Sequence, residues 1–267
     1  MKYELGVIGG GNMAEAIVRA AVEKGVVKAE RILVADPMPQ RRELFEAMGV
    51  AATAANEPIV EGCRAVMLAV KPQMLETIGG ELANIDSEHQ LVISIMAGVG
   101  SAKIGSLVGE GARVVRVMPN TPLMAGAGMS AVALGEGARE GDELLAMQVL
   151  GAAGEVVKVD EGMMDAVTAV SGSGPAYVFY LAEAMAEAGV ELGLDEGTAA
   201  LLTQQTILGA AMLMRQSADT PAELRAKVTS PGGTTQAAIE TMEKRKVKAA
   251  VVEALGKAAA RSKELGG

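Results

Sequence analysis

The stretch Leu5-Gly6-Val7-Ile8-Gly9-Gly10-Gly11-Asn12-Met13-Ala14-Glu15-Ala16 constrains this 267-residue chain more than any other. An apolar run ends in three glycines, and a small-residue helical pattern starts directly after them. Glycines at that junction let a strand turn sharply into a helix and let backbone approach a ligand closely. The helix start directs free N–H groups and a positive dipole end at that ligand, so an anion is expected there. The spacing Gly9-x-Gly11-x-x-Ala14 is that of a dinucleotide-binding turn with alanine in the third place.

The segments that follow agree with this start. Tyr3–Ile8 reads as a strand, Asn12–Lys24 as its helix, Arg31–Ala35 as a second strand and Pro39–Met48 as an amphipathic helix. Ala65–Val70, Leu91–Ile95 and Arg113–Val117 are continuous apolar runs of the kind found in strands buried on both faces, with helical segments at Met74–Leu82 and Ser101–Val108 between them. Strands alternating with helices predict an α/β, Rossmann-type, doubly wound parallel sheet. Gly128–Ala133 and Glu155–Val159 read as additional edge strands around a helix at Asp142–Leu150. The ligand crevice of such a sheet lies at the carboxyl ends of its strands. Residues Gly9–Gly11, Ala69-Val70-Lys71-Pro72, Met96-Ala97 and Asn120 follow those ends. Asp36 stands at the distance where an acidic residue takes the ribose 2′-hydroxyl of NAD. Arg41 and Arg42 could answer the 2′-phosphate of NADP or be exposed helix charges, so NAD and NADP both stay open.

After Asp160 no strand pattern remains, which divides the chain into a nucleotide-binding domain over 1–160 and an all-α C-terminal domain over 161–267. The helices over Gly174–Leu192 and Thr198–Arg215 are apolar on several faces, and such helices must be buried. They are expected to pair with a second copy, making a homodimer through this domain, with a larger ring of dimers as an extension. Two stretches interrupt the helices: Ser171-Gly172-Ser173-Gly174-Pro175, and Val228-Thr229-Ser230-Pro231-Gly232-Gly233-Thr234-Thr235. Each reads as a capped turn. The second also reads as a carboxylate-binding nest, with the N–H groups of Gly232, Gly233 and Thr234 beside the hydroxyls of Ser230 and Thr235.

Composition excludes several functions. One cysteine, Cys63, rules out an internal disulfide and a cysteine metal cluster, and the only histidine, His89, lies in a polar loop. No metal is therefore expected, nor a serine–histidine triad. A net charge of −9 argues against nucleic acid or an anionic membrane as partner. No signal peptide or membrane-spanning run is read, and a cytoplasmic protein acting on a small-molecule substrate is expected.

Together these residues resemble the pyrroline-5-carboxylate reductase family. The likeness rests on Gly9–Ala16, Ala69–Gln73, Arg116-Val117-Met118-Pro119-Asn120-Thr121-Pro122, Ser171–Tyr177 and, most specifically, Val228–Thr235. It implies NAD(P)H-dependent reduction of 1-pyrroline-5-carboxylate to L-proline, the last step of proline biosynthesis. It also implies a helical domain that pairs with its partner's. By position, Gly9, Gly10, Gly11, Asn12 and Met13 would hold the pyrophosphate, Asn56 would lie near the adenosine ribose, and Ala69–Pro72, Met96, Ala97 and Asn120 would border the nicotinamide. Ser230, Gly233 and Thr234 would grip the substrate carboxylate with Gly232 in the same turn, and the Thr235 hydroxyl would bond the ring nitrogen as the one side chain at the reacting centre. Members favouring NADPH often carry a polar pair such as Asn-Arg where this chain has Asp36-Pro37, and many carry Glu near Asp219.

Other readings fit these residues less well. Hydroxyacid dehydrogenases of similar build use a lysine of the helical half as acid, and the lysines after Asp160 lie mostly on charged helical stretches. Short-chain dehydrogenases need lysine four residues after tyrosine, a spacing at which Tyr177 and Tyr180 are followed by Leu181 and Ala184. A non-catalytic nucleotide sensor, or a reductase of another cyclic imine, would keep the same cofactor turn.

Overall fold

The computed structural model describes residues 1–266. They form two compact units, one over Met1–Ser173 together with 258–266, the other over Gly174–Lys257. The first unit extends past the change of pattern at Asp160 because the short helix α7 (Met164–Val167) and the π-helical turn Thr168–Gly172 continue from its last strand. The end of the final helix also belongs to this unit.

In the first unit the strands are β1 (Tyr3–Ile8), β2 (Ile32–Ala35), β3 (Ala51–Thr53), β4 (Cys63–Leu68), β5 (Leu91–Ser94), β6 (Arg113–Pro119), β7 (Gly128–Leu134) and β8 (Gly154–Lys158). They make one sheet of order β3-β2-β1-β4-β5-β6-β7-β8. All neighbours are parallel except β6 and β7. Only the 3₁₀ turn Thr121–Ala125 joins those two, too short a connection for a parallel crossover, so the chain doubles back. Helices α1 (Asn12–Glu23), α2 (Pro39–Glu46), α3 (Glu57–Gly62), α4 (Leu75–Leu82), α5 (Ser101–Val108) and α6 (Glu143–Gly151) complete the layers.

Period-two alternation sends the residues of each strand to opposite faces of the sheet. Leu5 and Val7 join one core with Ile17, Phe45, Val115, Val132 and Val149. Ile8 joins the other with Ile59, Val66, Leu75, Leu82, Val92 and Ile104. Each such large side chain, fully removed from water, contributes about 1.5–3 kcal/mol. Gly6 has no side chain because none fits: a Cβ there would lie 2.5 Å from Cys63 Sγ and 2.6 Å from Ile59 Cγ2.

The second unit holds α8 (Gly174–Glu191), α9 (Glu196–Gln216), α10 (Pro221–Lys227), α11 (Thr234–Lys244) and most of α12 (Val247–Gly266). Gly193, at φ +98°, turns α8 into α9, and Asp195 caps α9 by accepting from the Thr198 N–H at 3.0 Å. Thr220 and Glu223 form the capping box that Thr220-Pro221-Ala222-Glu223 predicts. Little of α8 and α9 is covered. Phe179 is 66% exposed and Tyr180 76%, and Leu181, Leu201, Leu208 and Leu213 are also exposed. Apolar exposure on this scale marks an association surface.

Candidate active site

The sheet register places the ends of β1, β4 and β5 side by side, since Ile8 pairs with Leu68 and Leu68 with Ser94. The residues that follow those ends therefore share one edge. Gly9, at φ +98°, lies against Ala69: a Cβ on it would come within 2.9 Å of the Ala69 carbonyl carbon and oxygen. Gly10 turns beneath Phe45 and Asp36, where a Cβ would lie 2.9 Å from the Phe45 ring. A Cβ on Gly11 would meet nothing within 4 Å. That open space stands over the start of α1, whose first intrahelical bond runs from Glu15 N–H to Gly11 O. The preceding N–H groups, of Gly11 through Ala14, are free to face a ligand. An open cradle of N–H groups at a helix start suits a pyrophosphate, so this turn fits a dinucleotide.

Side chains hold the turn in shape. The Asp36 carboxylate accepts the Gly10 N–H at 2.8 Å through one oxygen and the Met38 N–H at 2.9 Å through the other. Arg41 donates from Nε to the Gly10 carbonyl at 2.5 Å and pairs with Glu15 at 2.8 Å. Bonds from Arg19 and Arg41 hold the Glu15 carboxyl below its ordinary range. Arg42 bonds the carbonyls of Asp36 and Pro37 at 2.8 and 2.9 Å. The two arginines are thus ties on the loop, a role their sequence position does not disclose.

The other expected residues take varied positions. Asn56 donates to Glu81 at 2.6 Å. Ala69 and Val70 are half-buried, Lys71, Pro72 and Ala97 are exposed, and Met96 is buried. Asn120 has both ends of its amide engaged: Oδ1 accepts the Met129 N–H at 2.8 Å, and Nδ2 donates to the Ser171 carbonyl at 3.2 Å. It joins the end of β6 to the start of β7 and to the π-helical turn. Gly172 of that turn packs on Met118, where a Cβ would come within 2.3 Å of the Met118 methyl. A single π turn of this kind is often found at functional sites. No periodicity in Thr168–Gly172 predicts it.

In the second unit the turn Ser230–Gly233 opens α11. Gly232 adopts φ +70°, and its N–H is donated to Gln236 Oε1 at 2.7 Å. The Gly233 N–H goes to the Ser230 carbonyl at 3.0 Å. Two of the three N–H groups expected to form the nest therefore build the turn itself. The unsatisfied groups are those of the first helical turn, from Thr234, Thr235 and Gln236. Ser230 and Thr234 are exposed and Thr235 is half-buried. Asp219 is committed elsewhere: it accepts from Lys227 at 2.5 Å and Ser217 at 2.8 Å, and those bonds hold its carboxyl below the ordinary range. The described residues contain no cluster able to hold a metal ion.

The family model for pyrroline-5-carboxylate reductase dimerisation matches residues 161–265. Across the full chain, pyrroline-5-carboxylate reductase of Synechocystis is 42% identical over 267 residues, covering 100% of this chain and 99% of its own. The chain belongs to the pyrroline-5-carboxylate reductase family. The Methanosarcina acetivorans reductase is 39% identical and is covered over 98% of both chains. A solved pyrroline-5-carboxylate reductase from Coxiella burnetii superposes with a TM-score of 0.93 at 38% identity, covering 100% of each chain. The Plasmodium falciparum pyrroline carboxylate reductase, solved with NADP bound, superposes with a TM-score of 0.87 at 29% identity, again over 100% of each. Residues 4–98 also match the model for NADP oxidoreductases that are coenzyme F420-dependent, in keeping with a nicotinamide-nucleotide fold over β1–β5. As a pyrroline-5-carboxylate reductase family member, the chain carries an NAD(P)-binding Rossmann fold followed by the family's dimerisation region.

Proposed function

We propose that this chain reduces 1-pyrroline-5-carboxylate to L-proline in the cytoplasm, with a reduced nicotinamide dinucleotide as hydride source. Within the family so assigned, the observation that carries this reading is the opening of α11. There the free N–H groups of the first turn lie beside the hydroxyls of Ser230, Thr234 and Thr235, a donor set suited to a small carboxylate. The bound cofactor supplies the hydride that the imine carbon accepts. Gly9, Gly10, Gly11, Asn12 and Met13 hold its pyrophosphate, and Ala69–Pro72, Met96 and Ala97 line the nicotinamide end.

The rest of the chemistry is positioning. A protonated cyclic imine is already a strong hydride acceptor, so no buried acid or base is required. The chain accordingly places no histidine there: His89 is exposed and paired with Asp86. The α11 opening fixes the carboxylate, which sets the imine carbon at its reacting position. The Thr235 hydroxyl bonds the ring nitrogen and keeps its proton in place while that nitrogen becomes an amine.

We further propose a preference for NADH. Asp36 presents a carboxylate at the end of β2, which accepts from a ribose diol and repels a 2′-phosphate. Both nearby arginines are tied to the loop backbone. The exposed faces of α8 and α9 pair with those of a second copy to complete a homodimer. The test is oxidation of NADH and of NADPH, followed by absorbance, with and without pyrroline-5-carboxylate. Substrate-dependent turnover with higher kcat/KM for NADH is expected. Cofactor binding without turnover would overturn the reaction, and higher kcat/KM for NADPH would overturn the preference.

A further inference from the structure

The loop from Met96 to Ser101, between β5 and α5, is held by residues from the far end of the first unit. At one side Glu161 accepts the Ser101 N–H at 2.7 Å and the Ser101 hydroxyl, so that a side chain 60 residues away caps α5. The same carboxylate lies 3.5 Å from Arg116, itself only 9% exposed. At the other side the last turn of α12 sits on Gly98. A Cβ on Gly98 would stand 3.3 Å from Leu265 Cβ, and one on Gly266 would stand 2.5 Å from the Gly98 carbonyl oxygen. Gly98 is buried beneath this contact and takes φ +77°. One polar bond secures the helix end. Ser262, 5% exposed, donates its hydroxyl to Asp165 Oδ1 at 2.7 Å. Asp165 lies on α7, which follows Glu161 directly.

We infer that the Ser262–Asp165 bond is a positioning device for the cofactor. It seats the end of α12 on Gly98 and thereby fixes the Met96–Gly100 backbone against the nicotinamide half. This rests on the proposed reading of Met96 and Ala97 as nicotinamide-lining residues. Ser262 touches neither cofactor nor substrate in this scheme. It sets the fraction of molecules whose loop is already in the binding-competent form, and apparent affinity falls with that fraction.

The test compares Ser262→Ala with wild type and with Ser262→Thr, which keeps a hydroxyl. Reduced cofactor is titrated by its own fluorescence, and kinetics are run at saturating pyrroline-5-carboxylate. Losing one buried hydrogen bond should raise cofactor Kd and KM about three- to tenfold. At saturating cofactor, kcat and the KM for pyrroline-5-carboxylate should hold, and Ser262→Thr should recover most of the loss. Asp165→Ala, which removes the other partner of the same bond from α7, should give the same pattern and serves if Ser262→Ala does not fold. Cofactor Kd unchanged in a folded variant would overturn the inference while leaving the proposed reaction intact. An equal fall in kcat at saturating cofactor would also overturn it. A wild-type protein that turns over no pyrroline-5-carboxylate yet binds cofactor would overturn the reaction alone, since the titration still reads the loop. A wild type that binds no cofactor would overturn both.

Discussion

Thr235 lies in the first turn of α11, where its neighbours' N–H groups have no partner within the helix. If its hydroxyl holds the ring nitrogen, Thr235→Ala should lower kcat/KM about ten- to a hundredfold with the fold and assembly intact, and Thr235→Ser should restore most of it. Steady-state kinetics with either cofactor read this, and a variant with normal turnover would remove Thr235 from the reaction. Cys63 is the opposite kind of residue. Burial pushes its thiol up to about 12, so it stays protonated and walled in by Ile59 and Gly6. A thiol reagent should leave the native protein untouched and modify one cysteine after denaturation. At this scale the sequence discloses residue types better than their engagements. The turn at Gly9–Gly11 is legible because its conformation is local. The tie from Arg41 to Gly10 and the double engagement of Asn120 depend on partners brought together only by the folded sheet.

Among the elements, the long apolar runs are the legible ones. Strands β1, β2, β5 and β6 and the helices after Gly174 stand close to where periodicity puts them. β3 escapes because three half-buried residues carry no period, and α3 because six residues with a proline in the first turn resemble a loop. β4 begins at Cys63, two residues before its apolar run, since Arg64 is exposed and breaks the pattern while the backbone still pairs with β1. The β1–β4 pair also gives a prediction. Gly6→Ala would drive a methyl into Cys63 and Ile59 between packed layers, costing about 1–3 kcal/mol. Chemical denaturation should show an earlier midpoint with an unchanged slope, and an unchanged midpoint would mean that α3 can withdraw at no cost.

For the whole molecule, several carboxylates are held below their ordinary values of 3.8 and 4.5. At Asp142 burial pushes upward, and the Arg113 guanidinium, bonded at 3.0 Å, reverses it together with the Arg139 N–H, bonded at 2.8 Å. At Glu143 the Lys158 bond leads, and at Glu223 the Thr220 bond. A carboxylate with a lowered folded pKa stabilises above its unfolded value and loses that contribution as pH falls through the folded one. The melting temperature should therefore be level above about pH 5 and fall steeply below about pH 4. Asp142→Asn should start lower at neutral pH and fall less. An identical pH profile for that variant would place the acid sensitivity elsewhere. The chain also leaves its sheet-bearing unit at Ser173 and re-enters it at Ala258. On the ribosome, every strand and the entire glycine turn emerge well before the turn of α12 that rests on Gly98. A nascent chain released only as far as Lys257 has the complete sheet and no cover on that loop. The residues from Ala258 onward thus complete a unit whose sheet is made long before them.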